Sequence, residues 1–474
     1  MLCKKLILCL VRHSGMFSPF LLVAGLLLML LLPMYASKDI FLDENNIKTV
    51  QPPAYFNKYI IATASSEIQW NQRLVRGLRS PGPDVIAVYV NSAYSESVKL
   101  GNIIIQHLLD RNDLSCDVWF YFVNVSVKWP IPETYVKAAL VLNFSSLQNP
   151  VECVDIYSKH GLRPNQDLAN LAILWADWNS FRVSLICQTG RSPEFAEYGP
   201  LVYYIKSLEE SMLVDNYPQP WHAISTRGIH TIALSSNPAY AYYDEDKVEQ
   251  NSNVTLRYVT MTLQILLSIS ILDEKLHHAT FGYIPTRFDR YVSFDIAQLV
   301  IFLFIASITS TAYRMHQLSN HNHYHFGMFL TLAMTPIAAA MYKYAGLPAL
   351  AMATIFFAEA MKRMPVMLAW ISANIVGLVL MIGLQPSTGI LGGAAVALQL
   401  FFLHPMCSNF ILLPGVVISW VAYLYFTWYL GFPIWSTKTI SSIFVSVFLY
   451  PNAVWVSSRF LRFLNAKEKR NGKS

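Results

Sequence analysis

Charge is scarce in this chain. Only 14% of its 474 residues are Asp, Glu, Lys or Arg, while 54% are hydrophobic; soluble domains carry about 25% charged residues. The deficit argues against an ordinary soluble protein and for a membrane one. The net charge is only +6, mostly from Lys and Arg beside apolar runs, so no nucleic-acid partner follows from it. Cysteine is scarce too. There are six, with no Cys-x-x-Cys pair, which removes the usual zinc and dithiol signatures. A Gly-x-Ser-x-Gly elbow and a P-loop are both missing. No motif calls for a cofactor.

What is abundant is apolar length. "GMFSPFLLVAGLLLMLLLPMYA" follows Lys4, Lys5, Arg12 and His13. A run of about 20 residues spans a hydrocarbon core of ~30 Å, whereas a cleaved signal has a core of roughly 7–15. The expectation is an uncleaved signal anchor over 15–35, with 1–14 cytosolic and the following segment luminal. Residues 38–290 hold most of the Asp, Glu, Asn and Pro, and from 292 the chain is almost continuously apolar. The plan is anchor, luminal domain, membrane bundle over 292–458, and a basic cytosolic tail over 459–474.

The bundle divides into spans at 293–313, 326–342, 345–361, 366–385, 387–404, 409–429 and 438–458. With the anchor that makes about eight membrane helices. It places Arg314, Lys362, Arg363 and the residues from Arg459 onward in the cytosol, as the positive-inside rule asks; Lys343 is the exception. "VTLRYVTMTLQILLSISIL" (254–272) is also apolar, but it carries Arg257 and Gln264. As a span it would invert every later loop. We read it as an amphipathic luminal helix, packed on the domain or the membrane surface.

In the luminal segment, 84–90, 116–125, 137–144 and 228–234 read as strands, being apolar runs between polar turns. Helices are expected at 95–109, 165–177 and 198–214, the second capped by Asn165. Alternation of this kind predicts an α/β domain with a mostly parallel sheet covered on both faces. Cys116, Cys153 and Cys187 lie in it. An odd count leaves at least one without an internal partner; the two readings are buried free thiols and one disulfide between Cys153 and Cys187.

The turn after 84–90 reads Asn91-Ser92-Ala93-Tyr94-Ser95-Glu96. A dinuclear-zinc aminopeptidase would carry a His-x-Asp pair here and a Glu-Glu pair after the next strand, because zinc takes His nitrogen and carboxylate oxygen. This chain offers neither; the second place reads "FVNVSVKWP". His222 alone stands near where a last ligand would be, and is more simply a packed histidine. "HNHYH" (321–325) reads as a polar connector. Sequons occur at Asn124, Asn143 and Asn253. The first two fall on or at the end of expected strands, so Asn253, ahead of a helix, is the glycosylation candidate. In the bundle, Asp295 and Glu359 stand near span ends. Pro451 interrupts the last span beside Tyr450 and Asn452. A proline frees a backbone carbonyl, and carbonyl and amide together suit a polar headgroup or another helix.

Four stretches, in order, carry a resemblance: "AALVLNFSS" with "GLRPNQDLANL", "STRGIHTIAL", "ILDEKLHHATFGYIPTRFDRYVSF" and "FLYPNAVWV". Together they resemble the Gaa-type subunit of glycosylphosphatidylinositol (GPI) transamidase. That resemblance implies an aminopeptidase-like luminal domain whose metal ligands are lost, and no catalytic residue of its own. It implies a role in presenting GPI and the C-terminal signal of a proprotein to a caspase-like catalytic subunit, beside other membrane subunits of the complex, in the endoplasmic reticulum. It places GPI recognition at Pro451; Tyr450 and Asn452 are added as its neighbours. A membrane-bound metalloaminopeptidase and a multi-span lipid-modifying transferase are the alternatives.

Overall fold

The computed structural model describes residues 14–36, 72–78, 84–111, 113–124, 129–130, 135–147, 151–161, 163–185, 199–214, 219–236, 251–271, 282–287, 289–318, 364–402, 412–430, 441 and 444–471. They form two units. One comprises the N-terminal helix and everything from Asp295, the other Pro33–Phe294.

The second unit is built on seven strands: β1 (Gln72–Val75), β2 (Asp84–Asn91), β3 (Asp117–Val123), β4 (Tyr135–Asn143), β5 (Val151–Asp155), β6 (Arg182–Ser184) and β7 (Thr231–Ser236), in the order β1-β3-β2-β4-β7-β5-β6. Pairings β2–β3, β2–β4, β4–β7 and β5–β6 are parallel, while β1–β3 and β5–β7 are antiparallel. The expected mostly parallel sheet is therefore present, with an antiparallel edge and an internal reversal. Ile86, Val88 and Val90 alternate with Val85, Ala87 and Tyr89 to serve two cores. Helices α2 (Ser95–Leu109), α3 (Gln166–Trp178) and α6 (Asn251–Ile271) pack on the first face. Aromatic side chains, with the short α5 (His222–Ser225), cover the second. Helix α4 (Pro200–Leu213) packs on the hairpin β8 (Tyr283–Arg287) and β9 (Arg290–Ser293). Asn165 caps α3, its Oδ1 accepting from Asp167 N at 2.8 Å.

Helix α6 packs on the domain, one of the two placements the sequence offered, but its expected amphipathic character needs correction. It is not amphipathic. Of its apolar window, Val254–Ile271, 83% is buried, against α2, α3 and β2. Its polar residues are anchors within the domain. Arg257 donates to the carbonyls of Asn179 and Ser180 and lies over the Phe181 ring. Gln264 Oε1 accepts from Asn179 Nδ2 at 2.7 Å, and Ser268 Oγ accepts from Trp175 Nε1 at 3.1 Å. The helix also starts earlier than expected, so Asn253 lies in its first turn; Asn and Ser are at home at helix starts. Asn124 stands just beyond β3 and is exposed, not buried in a strand. Cys153 is disulfide-bonded, Cys116 is a buried free thiol, and position 187 lies outside the described residues.

The first unit contains α1 (Ser14–Leu31), α7 (Phe294–Leu318), α8 (Met364–Leu384), α9 (Pro386–Phe401), α10 (Leu412–Leu424) and α11 (Tyr450–Asn471). Among the described residues three helices are long and apolar enough to cross a membrane: Phe17–Tyr35, the buried Val254–Ile271, and Phe294–Arg314. The stretches around 370–382, 386–401 and 412–428 are shorter apolar helices. The expected spans at 326–342 and 345–361, Glu359 and "HNHYH" lie outside the described residues, so eight membrane helices are not seen. Helix α11 continues through the basic segment to Asn471, beyond the expected span end at 458. Close packing uses small residues, as membrane helices do: a Cβ on Gly392 would stand 2.6 Å from Phe444. Large apolar side chains, including Leu299, Phe302, Val379, Val417 and Trp428, face outward.

Arg257→Ala should destabilise the sheet domain by about 2 kcal/mol, since two carbonyls lose a charged donor. A denaturant titration followed by tryptophan emission measures this; an unmoved midpoint would mean that α6 is not anchored there.

Candidate functional site

In open α/β sheets, ligands bind beyond the carboxyl ends of the strands, where the strand order reverses. Here the chain runs from β2 to β3 on one side and returns to β4 on the other, so the reversal lies at the end of β2. Asn91 ends that strand. Its Nδ2 donates to Asn143 Oδ1, at the end of β4, at 2.7 Å, and its Oδ1 accepts from Ala93 N at 3.0 Å. Ser92 N donates to Val123 O, at the end of β3, at 2.9 Å. Ser97 Oγ donates to Phe144 O and accepts from Phe144 N. Ser145 Oγ meets Ser236 Oγ of β7 at 3.3 Å. The side chains that a hydrolase would aim at substrate are here spent on tying four strand ends together. Glu96 is turned to the surface, 3.8 Å from Lys99. Bonding to Asn91 also engages the side-chain oxygen of the Asn143 sequon.

His222 sits in α5 beside Trp221, which joins Trp129 and Tyr89 on the second face of the sheet. Its Nδ1 accepts from Gln219 N at 3.1 Å, leaving the proton on Nε2, which is buried without a partner. Burial lowers its pKa from 6.5 to about 4. The described residues contain no cluster of three or more His, Cys, Asp or Glu suited to a metal. The donors at the strand ends are amides and hydroxyls, which are poor zinc ligands.

The bundle holds a second polar constellation, centred on the residues that the sequence singled out. The chain makes a π turn over Val445–Leu449, and the amide of Tyr450 closes onto Val445 O. Pro451 follows, with no amide to continue the ladder; π turns and prolines are where helices bend. Tyr450 packs on α10 between Trp420 and Tyr423, at 6.2 and 5.4 Å between ring centroids. Asn452 is fully buried and turned to α8: its Oδ1 accepts from Trp370 Nε1 at 2.8 Å, and its Nδ2 donates to Asn374 Oδ1 at 3.1 Å. Of the two uses the sequence offered for this amide, headgroup or helix, the fold takes the helix.

Sequence reasoning weighed the ionisable residues of the bundle and the neighbours of Pro451, and so missed Gln399. Its Nε2 donates to Leu449 O at 3.2 Å and to Ser419 O at 3.3 Å. Its Oε1 and the Ser419 Oγ, both buried, have no partner among the described residues. Two open polar atoms therefore lie at the level of Leu449, two residues before Pro451. Asp295 is exposed in the first turn of α7, where a carboxylate suits the helix dipole. Arg459 Nη1 donates to Phe402 O just beyond α9 at 2.8 Å. The usable signal was an uncharged amide inside an apolar run.

No protein-family model matches the chain, and no curated protein matches it. Among solved structures it is similar to the LapA aminopeptidase of Legionella pneumophila, at 9% identity over 55% of this chain and 71% of that one, with a TM-score of 0.24.

His222 gives the sheet domain a defined acid response. Its folded pKa lies below the unfolded one, so between 6.5 and about 4 the unfolded chain binds the extra proton. The stability it confers is complete above pH 6.5 and is lost as pH falls toward 4. His222→Phe should flatten that slope by about 3 kcal/mol across the window, read as the difference between two pH series of denaturant midpoints. In the bundle, Asn452→Leu should cost about 1 kcal/mol and lower the melting temperature in detergent, because Trp370 and Asn374 each lose a buried partner.

Proposed function

We propose that this protein is a non-catalytic subunit of a GPI transamidase. It helps bind and present GPI and the proprotein's C-terminal signal to a caspase-like cysteine protease subunit. The observation that carries this reading is the Asn91–Asn143 clasp. The place where an aminopeptidase-like domain would hold its metal ligands is closed by a hydrogen bond between two amides, and the domain belongs to a chain with an apolar helical bundle. A scaffold of that kind binds and positions, with Asn91, Asn143 and Ser97 at the strand ends engaged in hydrogen bonds within the domain. The zinc-aminopeptidase-like ancestry of the fold belongs to this proposal, as do the location in the endoplasmic reticulum membrane and a luminal placement of the sheet domain. The bonded Cys153 favours an oxidising compartment.

The headgroup-binding role falls to the π turn and Pro451, with Tyr450 beside them. Gln399 Oε1 and Ser419 Oγ supply open polar atoms there. Asn452 acts as the buttress that fixes this turn against α8. Candidate partners are the protease subunit, further membrane subunits, GPI and the proprotein signal.

Affinity purification in a mild detergent, with mass spectrometry and a metal assay on the same sample, tests the proposal. Recovery of a stoichiometric caspase-like hydrolase with other membrane subunits is expected. A lone protein carrying bound zinc would overturn it. In the assembled complex, Pro451→Leu is expected to weaken GPI capture several-fold while subunit recovery is unchanged; undiminished capture would remove the π turn from the GPI site.

A further inference from the structure

One corner of the sheet domain collects buried polar atoms whose hydrogen bonds the fold leaves open. After β5 the chain passes Ser158 and a tight turn over Lys159–Gly161, then delivers Arg163 just ahead of the Asn165 cap. Gly161 has φ +70°, and a Cβ there would overlap Ser211 Oγ on α4. Only glycine lets the turn lie this close to the helix, and that closeness sets where Arg163 goes.

Arg163 is only 8% exposed. Its guanidinium carbon stands 5.2 Å from the Tyr157 ring centroid and 5.9 Å from that of Tyr283. Nε and Nη2 are buried and have no hydrogen-bond partner among the described residues; nor do the buried hydroxyls of Tyr204 and Tyr283, or Ser158 Oγ in the same turn. Both tyrosines feel the guanidinium charge. A ring face attracts a cation but offers no lone pair, so the rings leave the two N–H groups unmet.

The identity of the two open atoms points to a ligand. Nε and Nη2 form one edge of the guanidinium. Elsewhere in this domain Arg111 uses the same edge to grip Asp113, at 2.8 and 2.7 Å to the two carboxylate oxygens. In Arg163 that edge is buried and open. We propose that this corner binds a carboxylate group, held in a two-point grip by Arg163 and completed by the hydroxyls of Tyr204 and Tyr283. The charge around it favours a monoanion. Asp155, Asp167 and Glu210 act electrostatically on the Tyr157–Tyr283 pair, and would repel a dianionic phosphate far more than a single carboxylate. The carboxylate belongs either to a small free acid or to the C-terminus of a peptide. The inference stands on the sheet domain alone and does not depend on the transamidase reading.

The test uses the full chain in detergent and reads melting temperature and calorimetric titration against four probes: acetate, inorganic phosphate, and tri-alanine with a free or an amidated C-terminus. Saturable binding of acetate or of the free-acid peptide is expected, with no binding of the amide and none of phosphate. Arg163→Gln should weaken binding at least tenfold. Tyr283→Phe keeps the ring and removes only the hydroxyl; it should weaken binding about threefold with the ligand-free melting temperature unchanged, which keeps the test decisive where Arg163→Gln does not fold. Acetate binding as tightly as the peptide assigns a small-acid site; peptide binding alone assigns a C-terminus site. Equal binding of acid and amide, preference for phosphate, or absence of binding by every probe would overturn the proposal.

Discussion

A polar side chain taken out of water must be met by another polar group inside the fold, and this requirement organises both units. Leaving a buried donor or acceptor unmet costs about 1–3 kcal/mol, comparable to what burying one large apolar side chain contributes. In a chain this apolar, each buried polar residue therefore acts as an address. Arg257, Gln264 and Ser268 tie α6 to α3, meeting Asn179, Ser180 and Trp175 at the end of that helix. Ser18 does the same for α1, meeting Ser307 and Thr311 of α7 at 3.2 and 2.7 Å. Asn452 does it for α11 against α8.

The same requirement separates a spent site from an open one. At the strand ends the two buried polar side chains that flank the turn after β2 are paired within the fold. Asn91 answers Asn143, Ser97 answers the Phe144 backbone, and Ser236 answers Ser145. Such a surface is rigid and complete, suited to supporting a neighbour. The turn before Pro451 is different. Proline has removed one backbone donor, and Gln399 reaches across to the Leu449 carbonyl while keeping its own oxygen open. Pairing ties the first set of side chains to neighbouring strands; incomplete pairing leaves Gln399 Oε1 and Ser419 Oγ in the second without a partner among the described residues.

Much of the sheet was legible in the sequence because its central strands are long and their alternation feeds two cores. β2, β3 and β4 each bury nearly every residue. The strands that were not legible are short and polar. β5 contains Glu152 and Asp155, and β6 has three residues; pairing with β7 places β5, pairing with β5 places β6, and no local pattern announces either. Helix α6 was misjudged for a related reason. Arg257 and Gln264 suggested a wet face, as spacing along a helix does when nothing is known of its neighbours. Their partners, Asn179 and Ser180, lie more than 70 residues earlier in the chain, a relation that periodicity cannot carry. The strand-end turn was recognised as lacking metal ligands, but its actual use required the geometry. An asparagine at a strand end reads the same whether it is idle or bonded across to the next strand.

The open polar atoms of the bundle carry little sequence signal. Neither Gln399 nor Ser419 is charged, and each stands in an apolar run without a motif around it. Their importance follows from solvent. In water an amide carbonyl left open is met at no cost, but inside a helical bundle no water is at hand unless the fold or a ligand brings it. An open acceptor there carries the cost of an unmet polar group. At the π turn and Pro451 the backbone is already released from regular pairing at that level. Asn452, locked to Trp370 and Asn374 one residue beyond the proline, keeps the released turn from relaxing. Rigidity on one side of Pro451 and open polarity on the other are thus two consequences of a single break in the helix.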